Sequence, residues 1–399
     1  MTITGVLPNG VRDRVIEVGP ILSASAEDGD RMGRLPDEAA KALRASGVMR
    51  LLQAQDYGGY EASPIEWFEA LHEVGRYSGS AAWVTGVVGV HPFEVAIADR
   101  RLQDEIYGSD PDTWVASPYA PFGRARKVDG GFIFNGRWPW STGTSHCEWT
   151  VLGGLIVDDD GVPGPHDTHT RHFFLPKADY RHAPEEWRIA GLSGTGSYDV
   201  IVEDAFIPDY RVIDPRDITS GEAARHAGRA DAALYKMPFN VMFGGTIAAG
   251  TLSIAQGAVD AFVGYSRDRQ TRLNFDVSRD PHQLAALSVA AAEVEAGHVQ
   301  FMRDIERLWS MAQLGDEYPI GLLVEVRRNQ ARAVQRAVSA VDELMRHAGG
   351  AALSLDIPFQ RFWRDLHTAA NHGSNVAEPK YEASGRLSFG QSLPANFRL

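Results

Sequence analysis

The order of the expected elements constrains the fold of this chain more than any other feature. Apolar residues recur at helical spacing up to about residue 112 and again after about residue 220, and short β-rich runs separated by Gly, Asn, Asp and Pro lie between them. Helices and strands segregated in this way indicate an α+β fold. We predict an N-terminal helical domain over 1–112, a central β-barrel domain over 113–220 and a C-terminal four-helix bundle over 221–399.

The same pattern gives approximate bounds for the elements. Helices are expected over 35–52, 64–77, 81–98 and 102–106, and then over 241–267, 281–314, 320–349 and 358–370. Strands are expected over 131–134, 149–156, 172–175 and 198–206, and Asp129-Gly130-Gly131 predicts a turn before the first of them. Four long helices in succession predict an antiparallel bundle.

Charge and composition exclude several classes of protein. The chain carries 39 Lys and Arg residues against 52 Asp and Glu residues, so its net charge of −13 would repel nucleic acid, and we find no basic stripe. The apolar stretch 81–98 contains His91, Pro92 and Glu94, so we expect it not to cross a membrane. The single cysteine, Cys147, permits neither an internal disulfide nor a zinc–cysteine site. The N-terminus lacks a secretory signal, so a cytoplasmic protein is expected.

Two motifs have simple structural interpretations. The glycines of 191–196 come in the wrong order for a dinucleotide-binding fingerprint, so this segment is either a tight barrel turn or a loop that lines a cofactor. His166, His169 and His172 are spaced by three, but the Pro-Gly-Pro segment 163–165 before them indicates a loop. We interpret the three histidines as solvated hairpin residues and predict no metal site.

Two further groups of residues could serve a binding site. Trp138 and Trp140 could wall an apolar slot beside the hydroxyl of Thr142, or they could be a tryptophan pair that closes the core of the barrel. His367 and His372 are five residues apart, so one helix would not present both on the same face. One of them could handle protons at a cleft, although a lone histidine is more often structural.

The motifs together resemble a known fold. The segments Ser-Pro-Tyr-Ala-Pro at 117–121, Trp-Ser-Thr-Gly at 140–143 and Ala-Gly-Leu-Ser-Gly-Thr-Gly-Ser at 190–197, in the three-part order described above, resemble the acyl-CoA dehydrogenase fold. With 235–238 and 361–365 the likeness covers nearly the whole chain. It is greatest to the oxygenase components of two-component, group D flavin-dependent monooxygenases. These include the seco-steroid phenol hydroxylase, the p-hydroxyphenylacetate hydroxylase oxygenase and the dibenzothiophene monooxygenase.

The absence of a carboxylate base distinguishes the monooxygenase branch of the family from the dehydrogenase branch. Acyl-CoA dehydrogenases use a carboxylate base, and their Tyr-Glu-Gly-Thr motif is replaced here by the stretch 367–374. The resemblance therefore implies a monooxygenase that takes diffusible reduced FMN or FAD from a separate NAD(P)H:flavin reductase. Reaction of the flavin with O2 would give a C4a-hydroperoxyflavin that hydroxylates an aromatic, phenolic small molecule. An acyl-CoA dehydrogenase with a displaced base, an N- or S-oxygenase of the same fold and a non-catalytic flavin carrier are the alternatives.

The resemblance also assigns roles to individual residues. His372 would face the flavin, either as a base or as a hydrogen-bond donor to the hydroperoxide, Thr142 would reach flavin N5, and His91 would line the substrate side. The expected flavin-binding residues are Ser117, Tyr119, Trp140, Thr142, Arg269 and Arg272. The two arginines would bind the flavin phosphate of a neighbouring subunit, unless they belong to a solvated charged loop. The expected substrate pocket consists of His91, Trp138 and Phe239.

The family also implies a homotetramer. Val334, Val338 and Val341 recur on one face of an expected bundle helix. Association would bury such apolar area, so we expect this face to contribute to subunit packing.

Overall fold

The computed structural model describes residues 10–184, 187–270 and 274–394. The helices, in chain order, are α1 (Val11–Ala24), α2 (Ala26–Met32), α3 (Asp37–Ser46), α4 (Pro64–Gly75), α5 (Gly79–Gly89), α6 (His91–Ala96), α7 (Arg100–Tyr107), α8 (His166–His169), α9 (Pro215–Ser220), α10 (Glu222–His226), α11 (Phe239–Arg267), α12 (Pro281–Leu314), α13 (Ile320–Ala348), α14 (Pro358–Ala370) and α15 (Glu378–Ser388). The strands are β1 (Val115–Ala116), β2 (Gly123–Val128), β3 (Gly131–Ser141), β4 (Trp149–Val157), β5 (Thr170–Pro176), β6 (Arg181–Ala183), β7 (Tyr198–Pro208) and β8 (Val212–Ile213).

The strands form one curled sheet around a core of its own. Their order is β6-β7-β3-β2-β4-β5-β8, and β1 pairs with β4. The expected turn at Asp129-Gly130 is confirmed, because it joins β2 to β3 with Val128 opposite Gly131. In a flat sheet β3 and β5 would lie about 14 Å apart, since neighbouring strands are about 4.8 Å apart. The rings of Phe134 on β3 and Phe173 on β5 instead stack at 4.2 Å, so the sheet folds back on itself.

The N-terminal helices and the bundle share a second core. Trp67 on α4 donates from Nε1 to Thr246 Oγ1 on α11 at 3.1 Å, and Phe68 packs edge-on against Phe301 on α12. In the bundle, α11 packs against α13 and α14, and α12 packs against α13. The elements therefore follow the predicted order of helices, sheet and bundle, with α7 ending before 112 and α9 ending at 220. The domain boundaries themselves stay predictions.

One predicted helix is wrong in a way that matters for the site. The stretch 81–98 forms two helices, α5 and α6, that meet at Val90. Pro92 lacks an N–H and so cannot continue the hydrogen bonding of α5. The break places His91 and Glu94 on α6 and not on α5. The stretch 35–52 also ends early, because Gly47 takes φ +78° and closes α3.

Helix α11 has the length and apolarity of a membrane span. Within its most apolar window of 18 residues, 72% of the residues are buried inside the protein. A helix that is apolar on all sides belongs either in a membrane or in the core of a large protein. Because α4, α5, α12, α13 and α14 all pack against it, α11 is the central helix of the shared core.

A close approach of two helices gives a test of this packing. A Cβ added at Gly257 on α11 would lie 2.5 Å from the carbonyl oxygen of Gly75 and 2.5 Å from Cε1 of Phe362. We expect Gly257→Ala to lower the free energy of unfolding by about 2 kcal/mol, measured as a lower urea midpoint, because backbone and ring must both move. Gly264→Ala on the same helix is the control, since its Cβ would meet nothing within 4 Å. Equal shifts in the two variants would contradict this account.

Candidate active site

Helix α5 is the wall at which the candidate residues meet. Ser78 accepts a hydrogen bond from Ala81 N at its start, and nearly all of its residues are buried. The loop after β3 packs on one side, where a Cβ at Gly143 would lie 2.9 Å from Val88. On another side the ring of Trp83 lies edge-on to His372, with ring centres 5.6 Å apart. The short helix α6 then continues from this wall.

Four polar side chains beside this wall form what we call the Glu94 network (His91, Glu94, Tyr119 and His172). Tyr119 Oη lies 2.5 Å from Glu94 Oε2 and 2.8 Å from His91 Nδ1. His172 Nδ1 lies 2.5 Å from Glu94 Oε1. His91 and Glu94 are fully buried, His172 is buried and Tyr119 is partly buried. The network thus joins α6, the segment after β1 and strand β5.

The proton positions in this network follow from charge and burial. Burial acts to raise the pKa of Glu94, but His172, Tyr119 and His91 together bring that pKa below its usual value, so Glu94 is ionised. An ionised carboxylate only accepts, so Tyr119 Oη donates to Glu94 and accepts from the Nδ1–H of His91. Burial lowers the pKa of His91 to about 4, against the opposite effect of Glu94, so this imidazole is neutral near pH 7. Its Nε2 is therefore bare.

That nitrogen is a buried atom that a ligand could reach only inside the protein. His91 Nε2 has no hydrogen-bond partner among the described residues. An unpaired buried polar atom costs about 1–3 kcal/mol, so such atoms often mark a place where a ligand binds. Aromatic rings pack around Tyr119: Phe239 and Phe243 of α11 lie edge-on to it, with ring centres at 6.1 Å and 5.1 Å. The structure thus brings together the predicted residues His91, Tyr119 and Phe239.

Two sequence motifs meet in a chain of hydroxyl groups. Thr142 Oγ1 lies 3.0 Å from Ser197 Oγ, which lies 2.8 Å from Thr195 Oγ1. Thr195 Oγ1 lies 2.8 Å from the carbonyl oxygen of Leu192, which can only accept. Thr195 therefore donates to Leu192, Ser197 donates to Thr195, and Thr142 donates to Ser197. The proton of the Thr142 hydroxyl is engaged in the hydrogen bond to Ser197, so only the lone pairs of its oxygen are available to a ligand.

The loop that carries this chain is fixed by α14. Asp365 accepts a hydrogen bond from Leu192 N at 2.5 Å, and Arg364 donates to the carbonyl oxygen of Ala190. Burial raises the pKa of Asp365 to about 7. Leu192 takes φ +56°, a conformation that needs such support in a residue with a Cβ. The two segments 190–197 and 361–365 are therefore parts of one structural unit.

His372 follows α14 and is held as a hydrogen-bond donor. Its Nδ1 accepts from Ser374 N at 3.1 Å. Burial, together with the positive charges of Arg327 and Lys380, lowers the pKa of His372 to about 4. The neutral ring therefore carries its proton on Nε2. His367, by contrast, is partly exposed and pairs with Asp342 at 2.8 Å, so the two histidines differ in environment as their spacing suggests.

The remaining predicted residues have varied surroundings. Ser117 is buried just after β1, while Trp140 is 70% exposed and has φ +63°. Trp138 lies in the core of the sheet, where its Nε1–H is 2.8 Å from the carbonyl oxygen of Gly153 and 3.1 Å from that of Ala120. This placement agrees with the alternative that Trp138 closes the sheet core. Its role as a pocket residue stays a prediction.

Of the two predicted phosphate-binding arginines, Arg269 lies just after the C-terminal end of α11. Arg269 donates from Nη1 to the carbonyl oxygen of Ala348, and its guanidinium lies 4.9 Å from the ring centre of Tyr265. Within one chain it thus stabilises the negative end of α13. Arg272 lies outside the described residues. Its role, like that of Arg269 towards a neighbouring subunit, stays a prediction.

The interpretation of His172 as solvated is wrong. His166 is exposed, but His172 points inward from β5 and is held by Glu94. The alternation of strand residues sets its direction, and the sequence did not show which face of β5 meets α6. Glu94 was not predicted as a site residue, although a carboxylate three residues after a histidine in an apolar run was a usable signal. Over the described residues no three His, Cys, Asp or Glu side chains are grouped to hold a metal ion.

Comparison with known proteins places this geometry in a family. Residues 245–376 match the family described as "Acyl-CoA dehydrogenase, C-terminal domain". The "Pigment production hydroxylase" of Rhodococcus erythropolis is 38% identical over 375 residues, which cover 94% of this chain and 95% of that protein. The "Flavin-dependent monooxygenase, oxygenase subunit HsaA" of Rhodococcus jostii (strain RHA1) is 35% identical over 373 residues, which cover 93% of this chain and 96% of that protein.

Solved structures agree. The crystal structure of 3-HSA hydroxylase from Rhodococcus sp. RHA1 matches with a TM-score of 0.90 and 34% identity, over 97% of this chain and 98% of that one. XiaF from Streptomyces sp., solved with FADH2 and glycerol, matches with a TM-score of 0.87 and 27% identity, over 97% of both chains. The predicted resemblance is thus confirmed. This chain belongs to the family of oxygenase subunits of flavin-dependent monooxygenases, which have the acyl-CoA dehydrogenase fold.

Proposed function

We propose that this protein uses reduced flavin and O2 to hydroxylate a phenolic small molecule. The observation that carries the choice of a phenol is the bare Nε2 of His91, a buried acceptor among aromatic rings. A phenol supplies what this position lacks, namely an aromatic ring for the apolar surroundings and one O–H to donate. In this proposal His91 Nε2 accepts the phenol proton and so raises the electron density of the ring at the carbon that is to be hydroxylated.

The residues present fit a flavin, FMN or FAD. The exposed indole of Trp140 leaves a ring face free for stacking, Thr142 offers lone pairs, and His372 offers an N–H. When bound, reduced flavin supplies the electrons that activate O2 for transfer to the aromatic ring. The relative XiaF was solved with FADH2, which supports the reduced form as the ligand.

The direction of the hydroxyl chain suits the reduced form. Reduced flavin carries a hydrogen on N5, whereas N5 of oxidised flavin is an acceptor. Because Thr142 donates to Ser197, its oxygen can accept from N5–H but cannot donate to a bare N5. Thr142 would therefore select the reduced form. In the same site His372 Nε2–H would donate to the oxygen that is being activated and would keep water from that position.

A separate reductase is the partner this function needs. The glycine-rich segment 190–197 forms a loop held by α14, not a turn between a strand and a helix that could bind a nicotinamide nucleotide. Relatives named oxygenase subunit or oxygenase component support the assignment of flavin reduction and oxygenation to two separate proteins. We place the protein in the cytoplasm, where NADH and NADPH are available to such a reductase.

A homotetramer is part of the proposal, but the expected contact face needs correction. Val334 and Val341 are buried inside the subunit and Val338 is partly buried, so they do not form a free face. Exposed apolar residues lie on α12 instead, at Leu284, Val289 and Val299. Their burial between subunits would favour association. Light scattering should give the mass of four chains, and a monomer at working concentration would exclude this assembly.

The experiment that tests the function measures product, O2 and NADH together. With NADH and oxidised flavin alone, we expect no NADH consumption by the purified protein. Addition of a flavin reductase and a panel of simple phenols should give hydroxylated product in step with O2 uptake. Flavin reduction by an acyl-CoA, with no oxygenated product from any phenol, would instead favour a dehydrogenase. Product from amines or thioethers but not phenols would favour an N- or S-oxygenase.

The hydroxyl chain gives a binding prediction. Ser197→Ala frees the proton of Thr142, so the variant should bind oxidised flavin better relative to reduced flavin. We expect the ratio of the two dissociation constants to change by about tenfold, the value of one hydrogen bond. Anaerobic titration with reduced flavin and aerobic titration with oxidised flavin measure it. Ser193→Ala in the same loop, whose hydroxyl donates to Ile189 O, should leave the ratio unchanged. Equal changes in both affinities for Ser197→Ala would contradict the proposed direction.

His372 gives a prediction for coupling. Without its Nε2–H, His372→Ala should release hydrogen peroxide in place of product, and product per O2 should fall by at least about tenfold. His372→Gln keeps an N–H donor and should recover part of the yield. His367→Ala, which removes the partly exposed partner of Asp342, is the control. An unchanged yield in His372→Ala would remove this residue from the mechanism.

A further inference from the structure

The Glu94 network contains a negative charge to which the proposed function assigns no role. Glu94 is fully buried and ionised, and among the described residues its hydrogen-bond partners are His172 and Tyr119, with no lysine or arginine. Burying a carboxylate is costly unless it is paired and hydrogen-bonded. A carboxylate in this position therefore needs a reason beyond packing.

We propose that Glu94 is a positioning residue that fixes the tautomer of His91, and that Tyr119 and Glu94 carry the proton of a bound phenol away from it. This inference rests on the proposed function, because it takes a phenol at His91 Nε2 as its starting point. It assigns roles to Glu94, Tyr119 and His172 as one unit.

The direction of the hydrogen bonds supports the tautomer. His172 donates to one oxygen of Glu94 and Tyr119 donates to the other. Tyr119 has one proton, so it can only accept from His91, and His91 must carry its hydrogen on Nδ1. If Tyr119 accepted from Glu94 instead, it would donate to Nδ1 of His91, and the hydrogen of His91 would then lie on Nε2. The charge of Glu94 therefore decides, through Tyr119, that the nitrogen facing a ligand is an acceptor.

The proton balance is complete within the network. The phenol O–H bond breaks as its proton binds His91 Nε2, while the Nδ1 proton moves to Tyr119 and the Tyr119 proton moves to Glu94 Oε2. The phenol becomes a phenolate, Glu94 becomes neutral, and His91 and Tyr119 each keep their proton count. One negative charge has moved from Glu94 to the phenolate oxygen, so the net charge of the buried site does not change. In a region of low dielectric this avoids the cost of creating a new charge.

The surroundings of Glu94 agree with this role. The titratable groups that face it are His91 on its own helix, Tyr119 after β1 and His172 on β5. From α11 the rings of Phe239 and Phe243 pack against Tyr119, the residue that donates to Glu94. The network also leaves Nε2 of His91 buried and without a hydrogen-bond partner among the described residues, so this nitrogen is available to accept from a phenol O–H.

The test uses 4-nitrophenol, whose phenolate absorbs in the visible range, and needs no turnover. The apparent pKa of the bound probe is measured by pH titration of its absorbance in the wild type, Tyr119→Phe and Glu94→Gln. In the relay the proton of the probe moves through Tyr119 to Glu94, so the hydroxyl of Tyr119 and the charge of Glu94 both favour the bound phenolate. Both variants should therefore raise the pKa of the bound probe by about one unit, a tenfold loss in the phenolate-to-phenol ratio at fixed pH.

Matched controls remove buried groups outside the network. Tyr107→Phe removes a buried hydroxyl that has no hydrogen-bond partner among the residues described. Glu73→Gln neutralises a buried carboxylate held by Arg12 and Tyr77. Both controls should leave the pKa of the bound probe unchanged. If Glu94→Gln fails to fold, Tyr119→Phe decides alone, since it keeps the ring and its packing.

The outcomes separate the relay from the proposed function. A wild type that hydroxylates phenols with reduced flavin, but whose bound probe has the same pKa in Tyr119→Phe, overturns the relay and leaves the function standing. A wild type that hydroxylates phenols but does not bind 4-nitrophenol overturns the relay as well. A wild type that binds no phenol and forms no product overturns the proposed function itself.

Discussion

The packing of α5 on all of its sides is the constraint on which the site depends. This helix is apolar around its whole circumference, so it can be stable only where other elements cover it completely. Glycines on α5 allow the neighbouring elements to approach it closely. A Cβ at Gly79 would lie 2.5 Å from Asp365, and one at Gly89 would lie 2.5 Å from Trp67. Elements from all three parts of the chain are thereby brought to one wall, with the hydroxyl chain, His372 and α6 around it.

The same wall brings together two neutral imidazoles with opposite roles. Burial lowers the pKa of both His91 and His372 to about 4, so neither is charged near neutral pH. The hydrogen-bond partner of each ring determines which of its two nitrogens carries the proton. Ser374 N–H occupies Nδ1 of His372 and leaves an Nε2–H donor, whereas Tyr119 accepts from Nδ1 of His91 and leaves a bare acceptor. One donor and one acceptor are what a reaction that activates O2 beside a phenol requires.

Local sequence patterns define some elements of this protein and leave others undetermined. The helices 281–314 and 358–370 coincide with α12 and α14, because Pro281 and Pro358 mark their first turns and a long apolar period follows each of them. The break between α5 and α6 was not predicted, because apolar residues on both sides of Pro92 suggested one continuous helix. His172 was assigned to solvent because three histidines in a polar loop share one local pattern. Which of them turns inward depends on the register of β5 against its neighbours.

By itself the sequence determined the α+β class, the order of helices, sheet and bundle, and the motifs around Thr142 and His372 that mark the family. These properties follow from local periodicity, turn residues and short motifs, which need no knowledge of distant contacts. Only the tertiary structure decided that Glu94, Tyr119, His172 and His91 form one network and that Thr142 donates to Ser197. Hydrogen-bond directions and pKa values depend on which groups meet in the interior, and residues as far apart as Glu94 and His172 meet only after the chain has folded.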